Sequence, residues 1–93
     1  MKYKLSENNV RLLNKLFLMK DWNEEDGYSK ENVIKLANIN RELDSNELHE
    51  IRNYVMDKNL EYGFRKDGEP TELGYATEDL SDTLYYYAEL EED

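Results

Sequence analysis

The stretch from Leu36 to Phe64 constrains the fold of this chain more than any other part of the sequence. Asp44 or Ser45 can accept the free backbone N–H groups at the start of a helix, and a glutamate that suits a capping box stands three residues after Asp44, at Glu47. Apolar residues then recur along one face, at Leu48, Ile51 and Val55. This pattern predicts a helix over residues 45–58.

A strand is predicted directly after this helix. Asn59 favours a left-handed helix end. Beyond it, Leu60, Tyr62 and Phe64 alternate with Glu61, Gly63 and Arg65, which is the two-residue period of a strand. We therefore expect a strand over residues 60–66.

The dipeptide Asp67-Gly68 predicts a hairpin turn of type I′, which requires positive φ at both positions. The return strand over residues 69–75 contains Pro70, which cannot donate a ladder hydrogen bond, so it must be short or lie at an edge. The alternative is a helix that begins near Thr71 and leaves only a vestigial second strand.

Three further helices are expected. Ser6 caps the first, over residues 7–20, and Ser29 caps the second, over residues 30–39. Thr77 caps the last, over residues 78–90. Their apolar stripes are Val10, Leu12, Leu13, Leu16, Phe17 and Met19; Val33, Ile34, Leu36, Ala37 and Ile39; and Leu80, Leu84, Tyr87 and Leu90. Residues 21–27 are mostly polar and end in glycine, which predicts a loop. Trp22 in this loop is expected to fold back over the core, and the alternative is an exposed recognition anchor.

The order of helix, tight polar turn, helix and strand resembles the helix-turn-helix core and first wing strand of a winged-helix domain, over roughly residues 6–75. The resemblance implies one domain that is mainly α with a small β-hairpin (α+β), with three helices, a β-wing and a C-terminal helix. Helix-turn-helix proteins that bind DNA place their recognition helix in the major groove. The resemblance concerns the fold and implies no particular activity.

Charge divides the chain into two parts. Residues 1–66 hold all 12 lysines and arginines and 12 of the 22 acidic residues, so they are neutral overall. Residues 67–93 hold the other ten acidic residues and supply the whole net charge of −10. Such asymmetry bears on the choice of partner and not on the fold.

Catalysis and metal binding find little support. His49 is the single histidine and there is no cysteine, so no nucleophile and base stand at catalytic spacing. Asp21, Asn23 and Glu25 stand at alternate positions, as the ligands of a calcium loop do. The required glycine falls one residue late, at Gly27, and Asn32 replaces the final glutamate. We therefore predict no enzyme activity, metal, cofactor or small-molecule substrate.

No apolar run approaches the roughly 20 residues that span a membrane, and the first seven residues lack the apolar segment of a secretory signal. A cytoplasmic location without membrane contact is therefore expected.

The run from Tyr85 to Tyr87 is the most unusual local feature. Successive helical residues are about 100° apart, so the three rings cannot all face one core. Tyr87 falls in the buried stripe, while Tyr85 and Tyr86 either pack at its edge or form a contact surface. The predicted partner-binding residues are Glu78, Asp79, Asp82, Tyr85, Tyr86 and Glu89.

These patterns favour a small acidic protein-interaction module of winged-helix type, which docks on a basic surface of a protein partner. By analogy of size and charge, it suits an inhibitor from a phage or mobile element, or a nucleic-acid mimic. The alternative is a DNA-binding transcriptional regulator that uses the third helix and the wing. Its contact set would be Asn46, Arg52, Asn53, Arg65 and Lys66, although Glu50 and Asp57 on the same helix would repel phosphates. Homodimerisation is compatible with both hypotheses, and a purely structural subunit also stays open.

Overall fold

A computed structural model describes residues 3–19 and 27–92, with side chains up to Leu90. Within these residues the chain forms four α-helices and no β-strand. The helices are α1 (Glu7–Phe17), α2 (Lys30–Leu36), α3 (Ser45–Tyr62) and α4 (Glu72–Glu92). The two long helices, α3 and α4, pack along each other as a hairpin, and α1, α2 and the segments beside them contribute the rest of a shared core.

The predicted starts of the first three helices are confirmed. The Ser6 hydroxyl accepts a hydrogen bond from the Asn9 N–H at 3.1 Å, and Ser29 caps α2 in the same way. Asp44 and Glu47 form the complete capping box, with bonds of 2.8 and 3.0 Å. Local capping chemistry therefore defines these three starts.

The prediction of an α+β fold with a β-hairpin wing is wrong for the part of the chain that the structure describes. Helix α3 continues through Asn59 to Tyr62, so it takes up the first three residues of the strand expected over residues 60–66, and Leu60 on its last turn is 74% exposed. Asn59 does not end the helix, because its side-chain amide donates to the Gly74 carbonyl at 3.0 Å and to the Thr77 hydroxyl at 2.8 Å. Asn59 therefore joins α3 to α4 through two hydrogen bonds and does not cap the end of α3.

Only a turn remains where the wing was expected. A single antiparallel bridge joins Phe64 and Pro70, and the Arg65 N–H donates to the Glu69 carbonyl at 2.8 Å. Gly68 has a φ of +88°, but no described non-glycine residue has positive φ, so the type I′ prediction is wrong. The geometry instead suits a three-residue loop with one left-handed glycine.

The alternative of a helix that begins near Thr71 is confirmed. The Thr71 hydroxyl accepts from the Gly74 N–H at 3.0 Å, and α4 begins at Glu72, six residues before the predicted start. Thr77, the predicted N-cap, is buried inside α4 and its hydroxyl donates to the Leu73 carbonyl at 2.8 Å. The β-strand over residues 69–75 is therefore absent.

Two glycines let α3 and α4 meet. A Cβ atom added to Gly74 would lie 2.1 Å from the Gly63 carbonyl oxygen, so the backbones are in direct contact there. This close approach brings Asn59 within reach of Gly74 and Thr77. The start of α4 is consequently fixed by a tertiary contact with the end of α3.

The core confirms most of the predicted apolar stripes. Its buried members are Leu5, Leu13, Leu16, Tyr28, Val33, Leu36, Leu43, Leu48, Ile51, Tyr54, Val55, Leu80, Leu84 and Ala88. Helix α2 ends at Leu36, earlier than predicted. Two residues of its predicted stripe are exposed, Ile34 within the helix and Ile39 beyond its end. Residues 20–26, including Trp22 and most of the calcium-like loop, lie outside the described residues. No helix in the described ranges has both the length and the apolar composition needed to cross a membrane.

Candidate functional site on the outer face of the C-terminal helix

One side of α4 packs into the core and the other side faces solvent. The buried positions recur every three or four residues, at Thr77, Leu80, Leu84 and Ala88. Five of the six predicted partner-binding residues fall between these positions, the sixth, Glu89, directly follows the last of them, and all six are exposed. The structure therefore brings all six onto the outward side of one helix.

Sequence reasoning missed a seventh member of this surface, Tyr75, which is 59% exposed. It was missed because residues 69–75 were assigned to a strand, so its register with the helix was not considered. In α4 it precedes Asp79 by four residues and Asp82 by seven, which places the three on one face. We define the acidic–aromatic face as Tyr75, Glu78, Asp79, Asp82, Tyr85, Tyr86 and Glu89.

The charge of this face has one sign. Its four carboxylates are exposed, and α4 contains no lysine or arginine. Exposed like charges on one helix repel one another, and they attract a cationic surface over a distance of about one Debye length, roughly 8 Å at physiological salt. The charge of the face thus suits contact with a cationic surface.

The tyrosine run divides as expected for a helix. Tyr87 is half-buried and stacks on Tyr3, with ring centroids 4.2 Å apart and an interplanar angle of 23°. Tyr86 contacts the edge of Tyr87 at 5.2 Å and 82°, and is itself 59% exposed. Burial raises the pKa of the Tyr3 hydroxyl, the neighbouring Tyr87 adds to this, and a hydrogen bond from Asn9 opposes it.

Tyr85 lies at the edge of the face next to α3 and is 47% exposed. The Arg52 guanidinium lies over its ring, 4.8 Å from the centroid, and the His49 ring approaches it at 6.4 Å. His49 therefore takes part in an aromatic contact between α3 and α4.

The five residues of the alternative DNA-binding set are not brought together. Asn46 is exposed near the start of α3, while Arg65 and Lys66 lie in the turn beyond its end. From Asn46 to the last residue of α3 the helix rises about 24 Å. Arg52 is engaged with Tyr85 of α4, and the Asn53 amide donates to the Gly27 carbonyl at 3.2 Å.

The polar face of α3 that a recognition helix would present to DNA is occupied by the segment 27–29. The Tyr28 hydroxyl donates to Asp57 at 2.7 Å, and the Ser29 N–H donates to Glu50 at 2.9 Å. Together with the bond from Asn53, these contacts cover the middle of α3. The acids that sequence reasoning treated as repelling phosphates are instead internal hydrogen-bond acceptors.

The most deeply buried ionisable groups also lie on α3. Lys58 is fully buried, with its Nζ 3.6 Å from a Glu61 carboxylate oxygen and 5.7 Å from the ring centroids of Tyr54 and Tyr62. Burial raises the pKa of Tyr54, with further contributions from Tyr28 and the nearby carboxylates. These groups belong to the core and are inaccessible to a partner.

Metal binding gains nothing from the tertiary structure. Within residues 3–19 and 27–92, no three side chains of the histidine, cysteine, aspartate or glutamate type come together as metal ligands.

In comparisons with known proteins, no family model, no curated protein and no solved structure matches this chain. No relative therefore indicates what the outward side of α4 binds, and its role is inferred from the residues of this chain.

Proposed function

We propose that this chain is a non-enzymatic protein-interaction module, whose acidic–aromatic face docks on a basic surface of a different protein. The observation that carries the proposal is the composition of one solvent-facing helix side, with four exposed carboxylates, three exposed tyrosines and no cation on that helix. Carboxylates supply attraction and orientation, and tyrosines supply contact area.

The two kinds of residue have complementary roles in binding. Exposed ion pairs contribute only about 0.2–1 kcal/mol each, so four carboxylates alone make a weak and salt-sensitive contact. Tyrosine is enriched among the residues that dominate binding energy, because it has a large rigid ring and one polar atom. A face that combines both suits a specific protein partner better than it suits free cations.

A second copy of the chain is a poor occupant of the same face. Packing two such faces together would oppose eight carboxylates, and α4 contains no lysine or arginine to neutralise them. Like charges placed opposite one another in an interface cost several kcal/mol. The charge pattern thus favours a partner that supplies the positive residues.

The basic surface of the partner has a natural candidate class. Grooves that bind nucleic acid are lined by lysine and arginine, which neutralise phosphates. A competitor for such a groove needs negative charge along an extended element, and α4 has 21 residues. The proposal therefore includes nucleic-acid mimicry, in the manner of a phage or mobile-element inhibitor, and a cytoplasmic location for a chain with no cysteine.

The test uses two variants with the same change in net charge. Asp79→Lys with Asp82→Lys alters the face, and Glu42→Lys with Glu69→Lys alters exposed acids elsewhere. Proteins that become cross-linked to the wild type should no longer be cross-linked to the face variant and should still be cross-linked to the control variant. The amount that is cross-linked to the wild type should fall as salt rises from about 50 to 500 mM. Capture of the same proteins by the face variant would show that another surface binds them.

The DNA-binding alternative is tested with the wild type and the face variant of this chain. At about 50 mM salt, where phosphate contacts are strong, mixed duplex DNA should show no mobility shift. A shifted band that disappears with Arg65→Ala and Lys66→Ala, and persists with the face variant, would favour the transcriptional regulator instead.

A further inference from the structure

Tyr85 and Tyr86 are adjacent tyrosines with similar exposure but different surroundings. The ring of Tyr85 is covered by the Arg52 guanidinium, 4.8 Å from its centroid. Among the residues that the structure describes, no lysine or arginine lies over the ring of Tyr86, which is 59% exposed. The contact between Arg52 and Tyr85 thus lies beside Tyr86, whose ring is exposed and accessible to a partner.

The open ring of Tyr86 is held in place before any partner arrives. Its edge-to-face contact with Tyr87 spans 5.2 Å, and Tyr87 is in turn stacked on Tyr3 at 4.2 Å. The Tyr3 hydroxyl accepts a hydrogen bond from Asn9 of α1 at 3.0 Å, so the set of three contacting tyrosine rings is attached to α1. A side chain that is already ordered loses less conformational freedom on binding.

Carboxylates flank this ring along the helix. Asp82 precedes Tyr86 by four residues and Glu89 follows it by three, and both are exposed. Residues at these spacings have Cβ atoms about 5–6 Å apart on a helix surface. A guanidinium can stack its plane on an aromatic ring while its N–H groups bond a carboxylate, whereas an ammonium is a compact point charge.

We propose that Tyr86, with Asp82 and Glu89, forms the subsite that receives an arginine side chain from the basic partner. This inference rests on the proposed function and makes it more specific, because it names the partner group and the ring that binds it. Tyr75 is equally exposed and also lies near acids, but no contact with another ring holds it in place within the described residues.

The probes are two fluorescent 12-residue peptides of equal length and charge, one with four arginines and one with four lysines, separated by alanine and glycine. Binding is measured by fluorescence anisotropy at about 50 mM salt. The wild type should bind the arginine peptide about three- to tenfold more tightly, as a partly desolvated cation–π contact implies.

Three variants separate the ring from the rest of the face. Tyr86→Leu should abolish the preference for arginine, Tyr86→Phe should retain it, and the matched control Tyr75→Leu should leave it unchanged. Because Tyr86 is exposed, all three should keep the helical circular dichroism of the wild type. If Tyr86→Leu does not fold, the wild-type preference and the Tyr86→Phe variant still test the proposal.

The outcomes distinguish the two levels of the hypothesis. Equal binding of both peptides by the wild type, an unchanged preference in Tyr86→Leu, or a larger loss in Tyr75→Leu overturns the arginine subsite and leaves the acidic face intact. Binding of neither peptide, or binding that survives Asp79→Lys with Asp82→Lys, overturns the proposed function as well.

Discussion

Helices α3 and α4 are the two long helices of the chain, and they use their polar residues in opposite ways. The carboxylates of Glu50 and Asp57 on α3 accept hydrogen bonds from Ser29 and Tyr28, so they hold the chain together. The carboxylates of α4 from Glu78 to Glu89 point to solvent along the whole outer side. Similar residues on similar helices therefore serve the fold in one case and are available for binding in the other.

The difference shows why a helical wheel alone is a poor guide to a binding face. The pattern of α3 looks like one buried stripe with a free polar side, yet the segment 27–29 covers that side. The pattern of α4 looks similar, but its polar side is exposed to solvent. What separates them is a tertiary contact made by residues distant in the sequence.

The largest effect should come from the contact that joins the two helices. Gly74→Ala places a methyl group 2.1 Å from the Gly63 carbonyl oxygen, and backbone atoms cannot move aside as a flexible side chain can. We expect a loss of about 3 kcal/mol or more in the free energy of unfolding. Urea denaturation measures it, with the exposed Glu72→Ala as the control. A loss below about 1 kcal/mol would mean that α3 and α4 separate easily.

A matched pair of substitutions compares the carboxylates directly. Asp57→Ala removes the acceptor for the buried Tyr28 hydroxyl and should cost about 1–3 kcal/mol. Asp82→Ala on the outer side of α4 should change the free energy of unfolding by no more than about 0.5 kcal/mol. Chemical denaturation of both variants tests the contrast. Equal losses would remove the distinction between the two helices.

Alkaline pH tests the buried tyrosine of α3, Tyr54. Burial raises the pKa of Tyr54 in the folded chain, so the unfolded chain releases that proton first. Its contribution to stability is complete below pH 10 and falls above it, by about 1.4 kcal/mol per pH unit. Denaturation midpoints between pH 9 and 11 should therefore fall less steeply in Tyr54→Phe than in the wild type. The same slope in the wild type and in Tyr54→Phe would contradict this.

The smallest effect concerns the edge where α3 and α4 meet at the surface. Arg52→Ala removes the guanidinium from the Tyr85 ring and should cost about 0.5–1 kcal/mol. Thermal unfolding of Arg52→Ala, Tyr85→Leu and the double variant forms a cycle that isolates the pairwise energy. Additive losses in the double variant would show that the contact contributes nothing of its own.

Much of the helical fold could be predicted from local signals. Ser6, Ser29 and the Asp44–Glu47 capping box act within four residues of chain, so their chemistry is visible in the sequence. The apolar stripes of the helices identified most of the core for the same reason. The six residues predicted to bind a partner are exposed on one helix side because their spacing follows the same helical period.

The β-wing was predicted wrongly because its local signals were outweighed by distant partners. Asn59 resembles a helix end, but its amide is bound by Gly74 and Thr77 from α4. Thr77 resembles an N-cap, but it is buried in the same contact. Asp67-Gly68 does form a turn, yet a turn alone does not create strands when both flanking segments gain more from helix packing.

The site was predicted in part for a related reason. Tyr75 was assigned to a strand and so was not counted with the face of α4. The docking of Tyr28 on α3 gave no sequence signal, so Asn53 and Asp57 were treated as surface residues. Helical period predicts which residues share a side, but it cannot show whether another segment covers that side.

The central claim is that the outer side of α4 is the binding surface of this chain. It is tested most directly by nuclear magnetic resonance, with the isotope-labelled wild type titrated with the arginine peptide at about 50 mM salt. We expect the amide shifts to cluster between Tyr75 and Glu89, with the largest changes near Tyr86, and to diminish as salt is added. Shifts centred on Asn46 and the Arg65–Lys66 turn, or spread evenly over the four helices, would contradict it.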